Sequence, residues 1–440
     1  MAWRDFLCRA DSYAAVIERL LANPRAADLR MAGPHAGVSL AELETGRDRV
    51  ARALADDIKM GQWTPTPYRA VALKVDGKTR HLVLPGLLDR IVSAVVTDLL
   101  AQAMEPGLPD ALYSYRPGRS TNEAVASLAR LIRKDRQRHA DPRMRGVFVC
   151  RRDVQRYTES IPVHASSPLW TRIAGVLDAS RPAAETLRDP LFRVVEMCVR
   201  PLIGRPLRQL CVGLPVGAPI NTALANLYLL DLDRALAAID GLLVARYGDD
   251  IVCASTDRRL VERAGGEIDR VLDGLGLSAN PAKSMDVFLN AAGRRHHDWP
   301  DVPGAQHIEH LGFSVSAQGT VGLKDVHVRR LLRDLRRRAD SVARALVGED
   351  KDTIGRTVCQ ALRGALSSRG VTGSVDAIRL LGAVTDRDQL RFIDHEVARM
   401  VAGAVSGDRH ARALRKVPWS TMKRDWRLPS VVMMRNKVGG

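Results

Sequence analysis

Apolar residues recur along this chain with two different periods, and each change of period marks a new element. Over 1–60 they fall every three or four positions, as in YAAVIERLLA, which predicts amphipathic helices. Residues 70–84 form two strand-like runs around Asp76 and Gly77, a dipeptide typical of hairpin turns because both residues tolerate positive φ. The helical period then returns over 87–100.

The same two periods predict the elements that follow. Ser120 and Glu123 have the spacing of a capping box, which marks the start of a helix. The other predicted elements are a strand over 146–154, helical segments within 160–200, a loop and helix over 211–236, a strand, turn and strand over 242–255, a helix over 257–275 and a short strand over 307–315. From 325 onward we expect helices rich in arginine.

The net charge of the chain indicates the kind of partner that it binds. The chain has 440 residues, with 67 Lys and Arg against 50 Asp and Glu, so its formal net charge is +17. At 46% hydrophobic residues it is too apolar for a disordered tail, and it is long enough for two or three domains. The positive excess indicates a polyanionic partner, although charge of this kind also serves solubility alone.

Cysteines and hydrophobic runs exclude several classes of protein. The six cysteines include no CxxC pair and no histidine pair at ligand spacing nearby, so neither a zinc site nor a disulfide framework is expected. Free cysteines suit a reducing compartment, and we expect a cytoplasmic protein. The N-terminus lacks a signal-peptide core, and the absence of a run of about 18 apolar residues predicts no membrane span.

Three acidic residues stand where apolar strands end. Asp153 closes one strand, and Asp249 and Asp250 form the tip of a later hairpin. Alone, that tip also fits an ordinary solvated turn, in which Gly-Asp is common. If the two strands are neighbours, three carboxylates meet at one sheet edge, and hard oxygen ligands of this kind suit Mg²⁺. Two such ions about 3.5–4 Å apart promote phosphoryl displacement, which in a basic chain indicates a polymerase or a nuclease.

Seven motifs follow one another in a recognisable order between residues 66 and 315. They are LKVDGKTRHLVLPGLLDRIV, SYRPGRSTNEA, RRDVQRYTESI, GLPVGAPINTALANLYLLDLD, RYGDDIV, LGLSANPAKS and HLGFSV. In this order they resemble the fingers and palm motifs of the reverse transcriptases, specifically the bacterial branch with group II intron and retron enzymes. YGDD alone is a weak signal, and the specificity lies in the order of all seven.

This resemblance implies an α+β fold of the right-hand polymerase type. Its parts would be an N-terminal helical extension at 1–65, fingers and a palm with an antiparallel sheet at 66–322, and an α-helical thumb with a basic tail at 323–440. The implied partners are an RNA template, a DNA product and dNTPs, with no membrane. A homo-oligomer or an accessory protein is left open.

The resemblance also assigns roles at the three acids. Asp153 and Asp249 would ligate two Mg²⁺ ions, with Mn²⁺ as an alternative metal. Asp250 would support these two acids, and the carbonyl of Val154 would complete one coordination shell.

Substrate contacts are implied in the same way. Lys74 and Arg80 would hold the triphosphate, since Arg grips phosphate as a fork and Lys as a point charge. Lys283 would approach the pyrophosphate, where it could act as the proton donor. For all three cations a solvated side chain is the alternative. The remaining nucleotide-binding residues would be Tyr157, Thr158, Val216 and Gly217. The template and primer would be contacted by Arg116, Gly213, Tyr247, Gly312, Arg329, Arg330, Arg333 and Arg337.

Two positions depart from the family pattern. The family usually has a ring at the position of Thr158, where it blocks a ribose 2′-hydroxyl, so weak discrimination against ribonucleotides is expected unless Tyr157 fills the gap. Val216 stands where most intron and retron enzymes have Gln. An apolar residue cannot hydrogen-bond the nucleotide, and this departure resembles defence-associated and diversity-generating enzymes.

The C-terminal region completes the prediction. Its arginines cover much of the helix over 327–346, as expected of a thumb that follows the template–primer backbone, whereas a solvated helix face is the alternative. Trp419 and Trp426 in the tail are expected to pack onto the thumb rather than stack on bases. No ribonuclease H domain, endonuclease or integrase is expected.

Three functions remain open at this stage. The first is RNA-directed DNA synthesis, the second is RNA synthesis, and the third is RNA binding without catalysis. The preference for dNTPs or rNTPs separates the first two. For the first, copying of a dedicated non-coding RNA in antiphage defence is expected ahead of a diversity-generating retroelement.

Overall fold

The structure is a computed structural model. It describes residues 2–22, 38–75, 78–139, 141, 145–204, 206–367, 377–408 and 412–438. The predicted turn residues Asp76 and Gly77 lie outside these ranges.

Contacts between residues divide the chain into two compact units. Unit 1 comprises Met1–Arg119, Arg152–Ile251 and Glu262–Ser284, and unit 2 comprises Ser120–Arg151, Val252–Val261 and Met285–Gly440. Because the units interleave along the chain, they do not follow the boundaries at 65 and 322, and the three-part division of the chain stays a prediction.

Unit 1 is built from short helices around one apolar helix, with a two-stranded hairpin. The elements of its first segment are α1 (Trp3–Leu7), α2 (Ala10–Leu21), α3 (Leu40–Lys59), β1 (Arg69–Val75), β2 (Lys78–Leu84) and α4 (Leu87–Met104). Its second segment contributes α6 (Tyr157–Ser160), α7 (Leu169–Leu177), α8 (Ala183–Leu187), α9 (Phe192–Val199), β4 (Leu202–Ile203), β5 (Arg208–Gln209), α10 (Asn221–Tyr228), α11 (Leu230–Ala237) and β6 (Leu243–Tyr247). Helix α4 carries the core, since Ile91, Val92, Val95 and Val96 are all fully buried. It packs against α2, α7, α9 and α10.

Unit 2 is largely helical. Its elements, with the two strands β3 and β7 and the helix α12 that the two units share, are α5 (Thr121–Arg138), β3 (Val147–Asp153), β7 (Asp250–Ser255), α12 (Arg258–Gly274), β8 (Met285–Leu289), β9 (Gly304–Ala305), β10 (His307–His310), β11 (Phe313–Ser316), β12 (Val321–Leu323), α13 (Asp325–Ala345), α14 (Lys351–Ser367), α15 (Ala377–Ala383), α16 (Arg387–Ser406), α17 (Ala413–Lys416) and α18 (Val431–Val438). The predicted helix start is confirmed, because the Ser120 hydroxyl accepts a hydrogen bond from the Glu123 amide at 3.3 Å.

The fold is α+β, as predicted, with mainly antiparallel strands. The largest sheet has five strands in the order β6-β7-β3-β8-β9. Strand β3 pairs antiparallel with β8, with Val147 opposite Leu289 and Arg151 opposite Met285. Because β7 lies beside β3, the predicted neighbourhood of the two acid-bearing strands is confirmed.

The register of the β1–β2 hairpin separates two predicted phosphate ligands. Lys74 lies opposite Thr79, and Arg80 lies opposite Leu73. Directly paired residues share a face of an antiparallel ladder and successive residues alternate between faces, so Lys74 and Arg80 belong to opposite faces. Both side chains are exposed. The hairpin is therefore confirmed, but its register does not form one cradle from these two cations.

Two predicted elements differ in detail. The helical region over 160–200 is divided into short helices, and Pro168 and Pro182 stand directly before two of them. Proline lacks the amide that would continue a helix, so each one starts a new segment. The single strand over 307–315 is instead the hairpin β10–β11, because Leu311 and Gly312 both have positive φ and reverse the chain.

The two tryptophans of the tail behave differently. Trp426 is buried, and its indole nitrogen donates to Asp352 at 2.6 Å, so this residue packs onto helix α14, within the region predicted to be the thumb. Trp419 is 53% exposed, so the packing prediction is wrong for that residue.

Within the described part of the chain, no helix has the length and apolar character needed to cross a bilayer.

Helix α14 offers a test of this packing through two glycines. A Cβ at Gly355 would stand 2.4 Å from the Trp426 ring, whereas a Cβ at Gly364 would meet nothing within 4 Å. We expect Gly355→Ala to lower the free energy of unfolding by about 1–3 kcal/mol through overpacking. Gly364→Ala is the matched control and should raise it by up to about 1 kcal/mol, because alanine favours helix. Urea unfolding measures both, and equal stabilisation by the two changes would contradict the packing.

Candidate active site

The turn between β6 and β7 presents the candidate catalytic acids. Strand β6 ends at Tyr247, Gly248 follows with a φ of +66°, and β7 begins at Asp250. Glycine adopts this left-handed conformation without the steric cost of a Cβ. Asp249 is half-buried in the turn, and Asp250 is buried at the start of β7.

A buried ion pair supports this turn from within unit 1. Arg246 and Asp233 are both 0% exposed, and the guanidinium donates to both carboxylate oxygens, at 2.6 and 2.5 Å. Burial opposes the charge on Arg246, but Asp233 outweighs it and the pKa of the guanidinium lies above its usual value. A further guanidinium nitrogen donates to the Gly248 carbonyl at 2.9 Å, so the ion pair is tied directly to the turn.

Backbone hydrogen bonds bring the two predicted metal-ligating acids together. The amide of Val154, directly after Asp153, donates to the carbonyl of Asp249 at 3.0 Å. On the other side, the Asn280 amide donates to the carbonyl of Asp153 at 2.7 Å. The end of β3 is thus held between the acidic turn and the segment that carries Lys283.

The carboxylates repel each other. Burial raises the pKa of Asp249, and the charges of Asp153 and Asp250 raise it further, while Lys283 lowers it. Holding these acids ionised in one place therefore costs free energy, which a cation offsets.

Lys283 is the cation that meets Asp153. Its ammonium group lies 2.9 and 2.8 Å from the two carboxylate oxygens. The turn that carries it is closed by the Lys283 amide, which donates to the Asn280 carbonyl at 3.1 Å. The predicted role of Lys283 at a pyrophosphate is not tested by this arrangement, which places the side chain at the carboxylate.

The donor set fits a divalent metal. Both carboxylate oxygens of Asp153 already face the ammonium group of Lys283. The charge of Asp153 raises the pKa of Asp249, and both acids lie beside the Val154 backbone. Hard oxygen donors of this kind suit Mg²⁺ and Mn²⁺. The three carboxylates are not, however, drawn into one tight cluster. Among the described residues, the three-residue group with ligand atoms all within 4.8 Å is His296, His297 and Asp298.

The His296 group was not predicted from the sequence, where metal ligands were expected only from histidines near cysteines. Its signal was the consecutive His-His-Asp run. Nδ1 of His296 already accepts a hydrogen bond from the Asp298 amide at 3.2 Å, and its ring packs on Phe148 and Phe288.

The residues predicted to surround the nucleotide are distributed between the core and the surface. Tyr157 is buried, and its hydroxyl donates to the Ala225 carbonyl at 2.5 Å, so this ring does not fill the gap at Thr158. Thr158 is half-buried, and its carbonyl accepts from the Leu214 amide at 2.7 Å. The carbonyl of Val216 accepts from the Val83 amide at 2.7 Å, which ties the motif loop to β2.

The predicted close-approach glycines have partners in the chain itself. Gly217 has a φ of +109°, and a Cβ there would stand 3.2 Å from the Val83 carbonyl oxygen. Gly213, with a φ of +85°, is equally close to the Glu159 carbonyl, and Gly312 packs against His327. Their lack of a side chain is therefore required by the fold, whatever their part in contacting a base pair.

The predicted template–primer residues differ in accessibility. Arg116 has a side chain only 8% exposed that pairs with Glu105 at 2.7 Å and donates to two carbonyls, so the structure gives it an internal role. Tyr247 is half-buried beside the turn. On α13, Arg329, Arg333 and Arg337 are exposed and Arg330 is half-buried.

Sequence reasoning missed the ion pair of Arg246 with Asp233 and also Tyr115. Arg246 lies inside a quoted motif, but nothing in the pattern separates a buried arginine from an exposed one in a basic chain. Tyr115 likewise lies in the motif SYRPGRSTNEA, and nothing in that motif shows that its ring meets Tyr247.

No family model and no curated protein matches the chain. Among solved structures, it is similar to apo telomerase from Candida tropicalis truncated from the C-terminal domain, with a TM-score of 0.44 and 14% identity over 59% of this chain and 56% of that chain. It is also similar to telomerase from Candida albicans in complex with a TWJ fragment of telomeric RNA, with a TM-score of 0.45 and 9% identity over 81% of this chain and 63% of that chain.

This chain therefore spans less than two thirds of either telomerase chain. Similarity at this level concerns the fold and says nothing about activity. The finer resemblance to the bacterial branch stays a prediction.

The raised pKa of Asp249 gives a pH-dependent prediction. A carboxyl with a raised pKa in the folded state adds stability below its unfolded pKa, and this stability is lost as the pH rises through the folded pKa. Asp249→Asn removes that loss, so in metal-free buffer its stability relative to wild type should increase as the pH rises from acid to neutral. Urea unfolding across this range measures the difference.

Asp178→Asn is the control with the opposite sign. The Ser180 hydroxyl holds the pKa of Asp178 below its usual range, so this variant should lose stability relative to wild type as the pH rises. If Asp249→Asn and wild type show the same pH dependence, the repulsion among the acids is contradicted.

Proposed function

We propose that this protein is a nucleotidyltransferase of the reverse-transcriptase type, which adds nucleotides to a primer 3′-hydroxyl on an RNA template. The observation that carries the proposal is the hydrogen bond from Val154 to Asp249, which joins the end of β3 to the acidic turn. The proposal also rests on the order of the sequence motifs, which is more specific than any single acid.

Asp153, Asp249 and the Val154 carbonyl would hold the divalent metal, with Asp250 in support. A bound pair of such ions supplies activation of the attacking hydroxyl and charge neutralisation on the phosphates. The chain's own contribution is to fix the acids. The Gly248 turn positions Asp249, Arg246 holds the Gly248 carbonyl, and two backbone hydrogen bonds hold the end of β3.

Cations around the acids would bind the substrate's phosphates. Lys283 is tethered next to Asp153 by the Asn280 turn, and its long side chain can exchange a carboxylate for a phosphate partner. Lys74 and Arg80 reach solvent from opposite faces of the hairpin, so one of them would contribute more to triphosphate binding than the other.

Helix α13 supplies a surface for the nucleic-acid backbone. Arg329, Arg333 and Arg337 follow one another at four-residue spacing, which places them on one helix face about 6 Å apart along the axis. Within the described ranges these three form no ion pair, whereas Arg336 is 3.5 Å from Glu396. Exposed, unpaired arginines are suited to phosphate contacts that weaken with salt.

The biological setting that we propose is the copying of a dedicated, structured non-coding RNA in bacterial antiphage defence. Support for it comes only from the sequence resemblance, including Val216 in place of Gln. A diversity-generating retroelement is the alternative.

A second candidate function, synthesis with ribonucleotides, is favoured by one observation. Tyr157 is bonded into the core, so the position that usually carries a blocking ring is left to the small side chain of Thr158.

Catalysis is tested with Asp153→Asn and Asp249→Asn in primer extension on an RNA template with Mg²⁺. Loss of a metal-ligating carboxylate should lower the rate at least about a thousandfold, while template–primer affinity stays within a few-fold. Asp240→Asn is the matched control, since Asp240 is an exposed acid shortly before β6. Undiminished extension by either site variant would contradict the proposal, and retained RNA binding without extension by wild type would support a binding module instead.

Nucleotide choice is tested with Thr158→Phe. We expect wild type to incorporate matched rNTP and dNTP with kcat/KM values within about a hundredfold, and the larger ring to widen this ratio at least tenfold by excluding the 2′-hydroxyl. Thr158→Ser is the control of similar size and should leave the ratio nearly unchanged. A wild-type enzyme that already rejects rNTPs strongly would show that another group blocks the 2′-hydroxyl.

A further inference from the structure

Tyr115 is an aromatic residue held at the surface beside the acidic turn. It is 49% exposed, and its φ of +55° lies in the left-handed region that side chains other than glycine rarely adopt. Its ring centroid lies 6.1 Å from that of Tyr247, with the two planes tilted by 44°. Tyr247 immediately precedes the Gly248-Asp249 turn, so the ring pair lies next to the candidate metal ligands.

The neighbours of Tyr115 fix its position from both sides. Ser114 is fully buried and exchanges two hydrogen bonds with Asn226, at 2.9 and 2.8 Å. Arg116 is anchored by Glu105 and by the carbonyls of Pro109 and Leu112. With both flanking residues anchored, the backbone of Tyr115 has little freedom, and its ring is directed outward.

Pairing with β6 explains why the ring reaches Tyr247. The Tyr113 amide donates to the Arg246 carbonyl at 2.9 Å, and the Arg246 amide donates to the Ala111 carbonyl at 2.9 Å. The segment therefore runs parallel to the end of β6, with Leu112 bridged to Arg246. Three residues beyond Leu112, the ring of Tyr115 meets the ring of Tyr247, the residue that follows Arg246.

The conformation of Tyr115 costs stability and brings little packing in return. Glycine or asparagine adopts a left-handed φ more readily, and a ring that stays half exposed gains little from burial. Strained residues of this kind cluster at functional sites, where the surrounding structure maintains them. Partial burial, with Tyr247 and Asp249, raises the pKa of Tyr115, so its hydroxyl stays protonated near the acids.

We propose that Tyr115 and Tyr247 together form a stacking platform for the nucleobase of the primer's terminal nucleotide. Aromatic rings stack on any base because every base has a π-face, so the platform would position the 3′ end without reading sequence. The proposal rests on the proposed function, since it needs a primer end at the acids. It adds a binding role for Tyr115, through which the reacting hydroxyl is held beside Asp153 and Asp249.

The test uses the full chain and an RNA–DNA template–primer with 2-aminopurine as the primer's 3′ base, in buffer without divalent metal. On binding wild type, or Tyr115→Phe as the matched control, the fluorescence of 2-aminopurine should be quenched by stacking. Tyr115→Leu should bind the duplex but lose most of the quenching. In extension assays with Mg²⁺, its KM for primer should rise on the order of tenfold or more, with a smaller change in kcat.

Tyr115→Asn separates binding from a structural role. Asparagine tolerates the left-handed backbone, so this variant should unfold at an equal or higher temperature than wild type while losing the quenching. Quenching that persists in Tyr115→Leu, or a Tyr115→Asn variant that unfolds at a clearly lower temperature, would overturn the platform. Wild type that binds the template–primer yet never extends it would contradict the proposed function, whatever the fluorescence shows.

Discussion

The fully buried ion pair between Arg246 and Asp233 is the interaction on which the candidate site depends. Its guanidinium donates hydrogen bonds to Asp233 and also to the carbonyl of Gly248, so a charge in the core is connected directly to the acidic turn. Removing one partner of such a pair typically costs about 3–5 kcal/mol, because the other charge is left buried and uncompensated. The backbone of Arg246 bonds to the segment that ends in Tyr115, so the same residue positions the turn and the ring beside it.

Electrostatic repulsion among the acids destabilises the candidate site. Asp249 is held with Asp153 and Asp250 in a partly buried place, where burial and like charge both raise its pKa. Lys283 offsets part of this cost by binding both oxygens of Asp153. Neighbouring acids that repel each other suit a metal-binding site, because the repulsion is relieved when a divalent cation binds. The fold maintains the arrangement through backbone hydrogen bonds, which the ionisation of the acids does not disrupt.

Local elements could be predicted from the sequence because they depend on local chemistry. The Asp-Gly hairpin, the helix that begins after Ser120 and the acids at strand ends all follow from turn, capping and period rules. What could not be predicted depends on register and burial. Nothing in the sequence says that Lys74 and Arg80 lie on opposite faces of the hairpin, or that Arg116 points to Glu105 instead of a template. Likewise, Tyr157 and Thr158 are adjacent in the chain, but only tertiary packing decides which of them enters the core.

A metal site at these acids is tested by counting the divalent ions that the protein binds. Mn²⁺ titration of the full chain, followed by the EPR signal of free Mn²⁺, can be run with and without a non-hydrolysable dNTP analogue. We expect Mn²⁺ binding that tightens with the analogue, that weakens as the pH falls through the raised pKa of Asp249, and that is lost in Asp153→Asn but kept in Asp240→Asn. Binding that is unchanged in Asp153→Asn would contradict a metal site at these carboxylates, and with it the proposed chemistry.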